Sequence, residues 1–131
     1  TDLADKRLVA RQSGTGSQTA FLLRAEQAGL SPQALNFTRE AQTETEAALA
    51  ILEDQADAAF GLRCFAERYR LDFVPICIES YDLVIDRHAY FEPAIQSLLS
   101  FTRTSAFAAE ANRYVGYDVT QTGTVLFNGA R

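Results

Sequence analysis

The order of apolar and polar positions divides the chain into short alternating elements. Lys6 to Arg11 is a brief β-compatible run that ends in a turn cluster, Gln12-Ser13-Gly14-Thr15-Gly16-Ser17. Ala20, Phe21, Leu23, Ala25 and Ala28 then recur among polar residues at helical spacing, and Gly29 marks the end of that helix. After a turn at Leu30–Gln33, Phe37 marks a short strand. An apolar face of Ala47, Ala48, Leu49, Ile51 and Leu52 predicts a helix over about 43–54 with acids on its other side. Ala56 to Gly61 reads as a short buried strand and Leu62 to Arg70 as a helix. Phe73 to Ile78 and Tyr81 to Ile85 read as two further strands, the first at an edge or interrupted because Pro75 lacks an N–H. Pro93 suits the first turn of a helix reaching about Phe101, with Ile95, Leu98, Leu99 and Phe101 inward. Ser105 is placed to cap a last helix carrying Phe107, Ala108, Ala111 and Tyr114, which Gly116 ends. Strands alternating with helices predict an α/β fold with a mostly parallel or mixed sheet.

Composition narrows the class of function. The chain has 131 residues, 47% hydrophobic and 22% charged, as expected for one globular domain or a piece of one. Twelve basic against 17 acidic residues give a net charge of −5. With no basic run, direct nucleic-acid contact by this segment is not expected. No apolar stretch approaches the ~20 residues that span a bilayer. The chain opens at Thr1, as a mature product or excised domain would. Cys64 and Cys77 form neither a CxxC pair nor, with the single histidine, a four-ligand zinc set. They read as small buried apolar residues. The apolar surface of Phe91, Leu98, Leu99, Phe101 and Val125-Leu126-Phe127 exceeds what so short a chain buries alone, which predicts self-association.

The best candidate for chemistry is the Ser13–Ser17 loop between strand and helix. Glycines admit close backbone approach, the first helical N–H groups lack intrahelical acceptors, and the helix dipole favours an anion. Ser13, Thr15 and Ser17 add hydroxyls. With no Lys or Arg inside it, the loop suits a ligand held by neutral dipoles. A tight turn with Ser17 as helix cap is the alternative. The P-loop pattern fails because no Lys follows Gly16, and the dinucleotide fingerprint fails because Thr19 stands at its third glycine. Asp86-Arg87-His88 reads as a surface loop. No Ser-His-Asp, Cys-His or paired-carboxylate arrangement makes a case for an enzyme.

These residues resemble a known family. Arg11-Gln12-Ser13-Gly14-Thr15-Gly16-Ser17 resembles the Arg-x-x-Gly-Ser-Gly-Thr loop of periplasmic-binding-protein-like domains related to type 2 molybdate-binding proteins. Ala56-Asp57-Ala58-Ala59-Phe60-Gly61 resembles that family's Ala-Asp-Ala-Gly strand. Leu71–Pro75, Tyr81–Ile85 and Gly116-Tyr117-Asp118 with Thr122-Gly123 follow in the family's order. The chain departs from the family at Gln18, where an Arg is common, and near Glu44, where a His often opens the middle helix. The resemblance implies a three-layer α/β lobe with a mixed sheet. Residues from about 8 to 78 would form the second lobe, and about 81 to 131 the return segment and C-terminal helices of a first lobe whose opening half is absent. It implies non-catalytic binding or sensing of a small, molybdate- or tungstate-like oxyanion in a cleft between the two lobes, with no cofactor. Ser13, Gly14, Thr15, Gly16, Ser17, Phe60, Gly61 and Tyr81 would hold the ligand. The domain would serve a larger regulator or transport-related protein, cytoplasmic or alternatively periplasmic, as a homo-oligomer or beside a missing partner domain. The alternatives are an interaction domain with a degenerate cleft, or an enzyme fragment using the Ser13–Ser17 loop as an oxyanion cradle.

Overall fold

A computed structural model describes residues 3–129. The chain divides into two compact units, Thr1–Val74 and Pro75–Arg131. The first unit is built around strand β1, Arg7–Arg11, whose successive side chains point to opposite faces. Leu8 joins Phe21, Ala25 and Leu35 in one buried cluster, and Val9 joins Ala41, Ala47, Ala50 and Ala56 in another. β1 can be buried on both faces because it is also flanked on both edges. Strand β2, Asn36–Ala41, and strand β3, Ala58–Ala59, pair with it in parallel, giving the order β2-β1-β3. The expected mixture of strand directions is thus resolved as all parallel among the described residues. β2 is an edge strand, and its exposed Arg39 and Glu40 discourage further pairing.

Helix α1, Gly16–Gln27, connects β1 to β2, and helix α2, Glu44–Leu52, connects β2 to β3. The chain leaves β1 in one direction and returns past it, so the two helices cover opposite faces, Phe21 and Ala25 on one, Ala47 and Ala50 on the other. The termini match their sequence signals. Thr15 Oγ1 accepts from Gln18 N–H at 3.3 Å, so Thr15 and not Ser17 caps α1. Gly29, at φ +78°, ends it as a Schellman turn: Leu30 N–H donates to Ala25 O at 2.8 Å and Gly29 N–H to Glu26 O at 2.9 Å. Thr43 caps α2 through Glu46 N–H, and Glu46 reaches back to accept from Gln42 N–H. Helix α3, Arg63–Tyr69, follows β3.

The amino end of the sheet is clamped by Arg7. Its Nη2 donates to Asp57 Oδ1 at 2.8 Å and to Asp54 Oδ1 at 2.6 Å, and its backbone N–H donates to Asp57 Oδ2 at 2.7 Å. The Arg7 side chain first, and its backbone N–H second, hold the Asp57 carboxyl at about 2, below the ordinary 3.8.

The second unit contains helix α4, Pro93–Thr102, and helix α5, Ser105–Ala111. Pro93 opens α4 as expected, but Thr104, not Ser105, caps α5 by accepting from Phe107 N–H at 3.2 Å. α5 stops at Ala111 rather than at Gly116. Leu98 and Phe101, expected inward, are exposed. Every buried side chain among the described residues lies in the first unit. The strands expected at 73–78 and 81–85 do not form: the segment pairs with no strand among the described residues. A strand needs a neighbour for its ladder, whatever its residue preference. Cys64 and Cys77 are half-buried, unpaired thiols. No helix among the described residues is long and apolar enough to cross a membrane.

The face under α2 is made of alanines, so the helix lies close to the sheet. Ala50→Leu overpacks it and is expected to cost about 1–3 kcal/mol, whereas the exposed Leu49→Ala changes stability by no more than about 0.5 kcal/mol; urea denaturation measures both. Because the Asp57 carboxyl is depressed on folding, its contribution is complete above about pH 4 and is lost as pH falls towards about 2. Melting curves across that window should show a slope that Asp57→Asn flattens.

Candidate functional site

In an open α/β sheet a crevice forms outside the carboxyl ends of strands where the chain reverses its direction of winding. Here β2 and β3 lie on either side of β1, so the reversal falls between β1 and β3. Leu8 pairs with Ala58 and Val9 with Ala59. Continuing that register brings Ala10 beside Phe60 and Arg11 beside Gly61. The loop 12–15 that follows β1 and the residues that follow β3 therefore share one edge, which also receives the N-terminus of α1.

Within that loop, Gly14 is left-handed, at φ +83°, which turns the chain from strand to helix. Thr15 N–H and Thr15 Oγ1 both donate to Gln12 O, at 3.1 and 2.8 Å, so the Thr15 hydroxyl is spent on the turn and the cap. A Cβ placed on Gly14 or Gly16 meets nothing within 4 Å, so the loop faces open space. Gly16 and Ser17 open the helix, where amides have no intrahelical acceptor. Ser13 and Gly14 are exposed and Ser17 is half-buried.

The charged group at this edge is one whose pairing the sequence did not disclose. Arg11 Nη1 donates to Glu44 Oε1, and the two side chains are only 12% and 18% exposed. Arg11 also donates to Ala41 O and Gln42 O, each at 3.1 Å, which ties the end of β1 to the end of β2. Its backbone N–H donates to Gln18 Oε1 at 2.7 Å. Gln18, standing where the resembled family has Arg, thus serves the strand end. The other Glu44 oxygen faces Gly61: a Cβ there would lie 2.9 Å from Glu44 Oε2. Arg11 and Glu44 stand 33 positions apart, and only the β1-β2 pairing with the start of α2 brings them together.

The other expected residues fall as follows. Gly61 lies at the same edge as the Ser13–Ser17 loop, against Glu44. Phe60 packs its ring on Phe21, centroids 5.6 Å apart, and so supports the core below the edge. Tyr81 belongs to the second unit, is 97% exposed, and lies in a segment with no regular secondary structure. Its expected packing beside Leu83 and Ile85 is not observed, because the strand that would bury that face is not formed. Asp86 is a turn residue: its carboxylate accepts from Ala89 and His88 N–H, and these bonds lower its pKa. Among the described residues no cluster of His, Cys, Asp or Glu is arranged to hold a metal ion.

The two loop glycines make opposite predictions. Gly14→Ala forces a β-carbon into the left-handed region and should destabilise by about 1–2 kcal/mol. Gly16→Ala restricts only the unfolded chain and should leave stability unchanged or raise it by up to about 1 kcal/mol. Thermal unfolding of the two variants tests the assignment.

Comparison with known proteins bears on the family of the chain. An uncharacterized protein of Clostridium pasteurianum, from the 5′ region of a 2Fe-2S ferredoxin gene, is 26% identical over 100 residues, 75% of this chain and 88% of that protein. The uncharacterized protein YvgK of Bacillus subtilis (strain 168) is 25% identical over 124 residues, 94% of this chain but 40% of that protein. No solved structure matches the chain significantly. The family match is to the PBP superfamily domain and spans residues 1–103. Domains of this kind generally bind ligands rather than transform them, in accord with an edge that offers backbone amides and hydroxyls around an open space. With a parallel sheet wound to both sides of β1 and a glycine-turned helix start at its carboxyl edge, the chain belongs to the PBP superfamily.

Proposed function

We propose that the first unit binds a small oxyanion of the molybdate or tungstate type, without turnover, at the carboxyl edge of its sheet. The observation that carries this reading is the open space around Gly14 and Gly16 at the start of α1, on the side where the winding reverses. The Gly16 and Ser17 amides and the Ser13 and Ser17 hydroxyls are the donors, and Gly61 keeps the facing wall low. Because Glu44 closes the charge of Arg11, the ligand is held by dipoles rather than by a cation. The domain serves as the effector-binding part of a larger regulator or transport-related protein in the cytoplasm. The partial coverage of the longer Bacillus protein supports such an arrangement.

A second reading is favoured by one observation. The Glu44 carboxylate lies against Gly61, and a negative group there opposes an oxyanion. In that reading the crevice is degenerate and the domain serves protein interaction.

Thermal shift and titration calorimetry with molybdate, tungstate, sulfate and phosphate separate the two. A ligand bound only by the folded state stabilises by RT ln(1 + [L]/Kd), about 2.7 kcal/mol at a hundredfold excess over Kd. The first reading expects such a rise with at least one anion, abolished by Gly16→Val with no loss of stability in its absence. Absence of heat with all four anions at millimolar concentration supports the second.

A further inference from the structure

Glu44 has one oxygen that the protein itself does not use. Its Oε1 accepts from Arg11 Nη1, while Oε2 accepts no hydrogen bond among the described residues, although the side chain is only 18% exposed. Every fully enclosed side-chain N or O atom among those residues has a partner, so Oε2 is open to a donor from outside. Glycine at position 61 keeps it so, because a Cβ there would lie 2.9 Å from Oε2 and cover it. An ionised carboxylate offers acceptors only. We propose that Glu44 makes this edge take up a tetrahedral oxyanion together with one proton, held between Oε2 and the ligand oxygen that faces it. The proposal rests on the reading of the edge as an oxyanion site and specifies the form in which the anion binds.

Glu44 is fixed in place from two sides. Its backbone opens α2 behind the Thr43 cap, and its Oε1 is held by Arg11. Arg11 is itself committed, with Nε on Ala41 O and Nη2 on Gln42 O, so it does not leave Glu44 to serve the anion. The Arg11 backbone N–H donates to Gln18 Oε1 in the first turn of α1. One residue therefore joins Glu44 to the helix start that supplies donors for the anion.

Other charged groups on the neighbouring elements are engaged elsewhere. Glu46 accepts from Gln42 N–H, and Arg63 on α3 lies 3.8 Å from Glu67. Glu40 lies on the sheet face opposite to Ala41, which belongs to the cluster under α2. Arg7 is paired with Asp54 and Asp57 at the amino end. A bare oxyanion oxygen against Oε2 would set two negative acceptors face to face with no hydrogen atom between them. One proton turns that repulsion into a charge-assisted hydrogen bond. The proton arrives with the anion when the free anion carries one, and is drawn from solvent when it does not. At about pH 8 phosphate still carries a proton, whereas molybdate, tungstate and sulfate carry none.

Titration calorimetry on the full chain, in two buffers of different ionisation enthalpy at about pH 8, counts the protons taken up on binding. The expected result is about one proton per molybdate or tungstate and close to none per phosphate. Phosphate should bind roughly tenfold or more tighter than molybdate, with sulfate, the weakest base, last. Molybdate affinity should fall about tenfold for each unit rise in pH. These readings come from the parent protein and need no variant. Glu44→Gln places an N–H donor where the acceptor was, so molybdate should then bind without proton uptake and the preference for phosphate should shrink roughly tenfold or more. Molybdate bound without proton uptake, or sulfate bound as tightly as phosphate, overturns the proposal and leaves the oxyanion site standing. Proton uptake that Glu44→Gln leaves intact also overturns it. Absence of heat with every anion overturns the oxyanion reading and the proposal with it.

Discussion

The parallel pairing of β1 with a neighbour on each edge is the constraint from which the first unit follows. Once both edges are occupied, the middle of the strand pairs on both sides, and both faces can be apolar. Leu8 and Val9 then require separate cover. The chain provides it by winding first one way and then the other, with α1 over Leu8 and α2 over Val9. The same reversal places the candidate site at the carboxyl edge. Core and candidate site are therefore two results of one strand order.

The two arginines that bound β1 have different consequences. Arg7 holds the amino end against a half-buried Asp57 and an exposed Asp54, where water screens the charges. Arg11 is nearly enclosed at the carboxyl end and meets Glu44 there. A charged pair sheltered in this way fixes geometry more than it adds stability. It joins the ends of two strands, sets the first turn of α2 and leaves the carboxyl edge without net charge from these two groups. Any ligand there must be recognised by shape and by N–H and O–H dipoles.

Much of the first unit was legible in the chain because its signals are local. The turn cluster before Gly16, the Gly29 stop and the apolar face of α2 each act within a few residues, and each reappears in the structure with small changes of boundary. Thr15 replaced Ser17 as the cap because the turn at Gly14 brings its hydroxyl, two residues earlier, to Gln18 N–H. What stayed hidden depends on distant partners. The Arg11–Glu44 pair requires the sheet to exist first. The strands expected at 73–78 and 81–85 have the right residues but no neighbour, and pattern alone does not supply one. Tyr81 was tied to the site through one of those strands, so its role could not be read from the chain either. The motif loop and Gly61, which the strand register brings to one edge, could be read without that information.

The central claim, that the carboxyl edge of the first unit is a small-ligand crevice, is most directly tested by following the backbone amides during a molybdate titration. In ¹⁵N–¹H correlation spectra, saturable shifts are expected for Ser13 to Gln18 and for Phe60 to Leu62, with the amides around the Asp57 clamp at the opposite end of the sheet unmoved. Spectra unchanged to millimolar anion, or shifts confined to residues outside this edge, would contradict it.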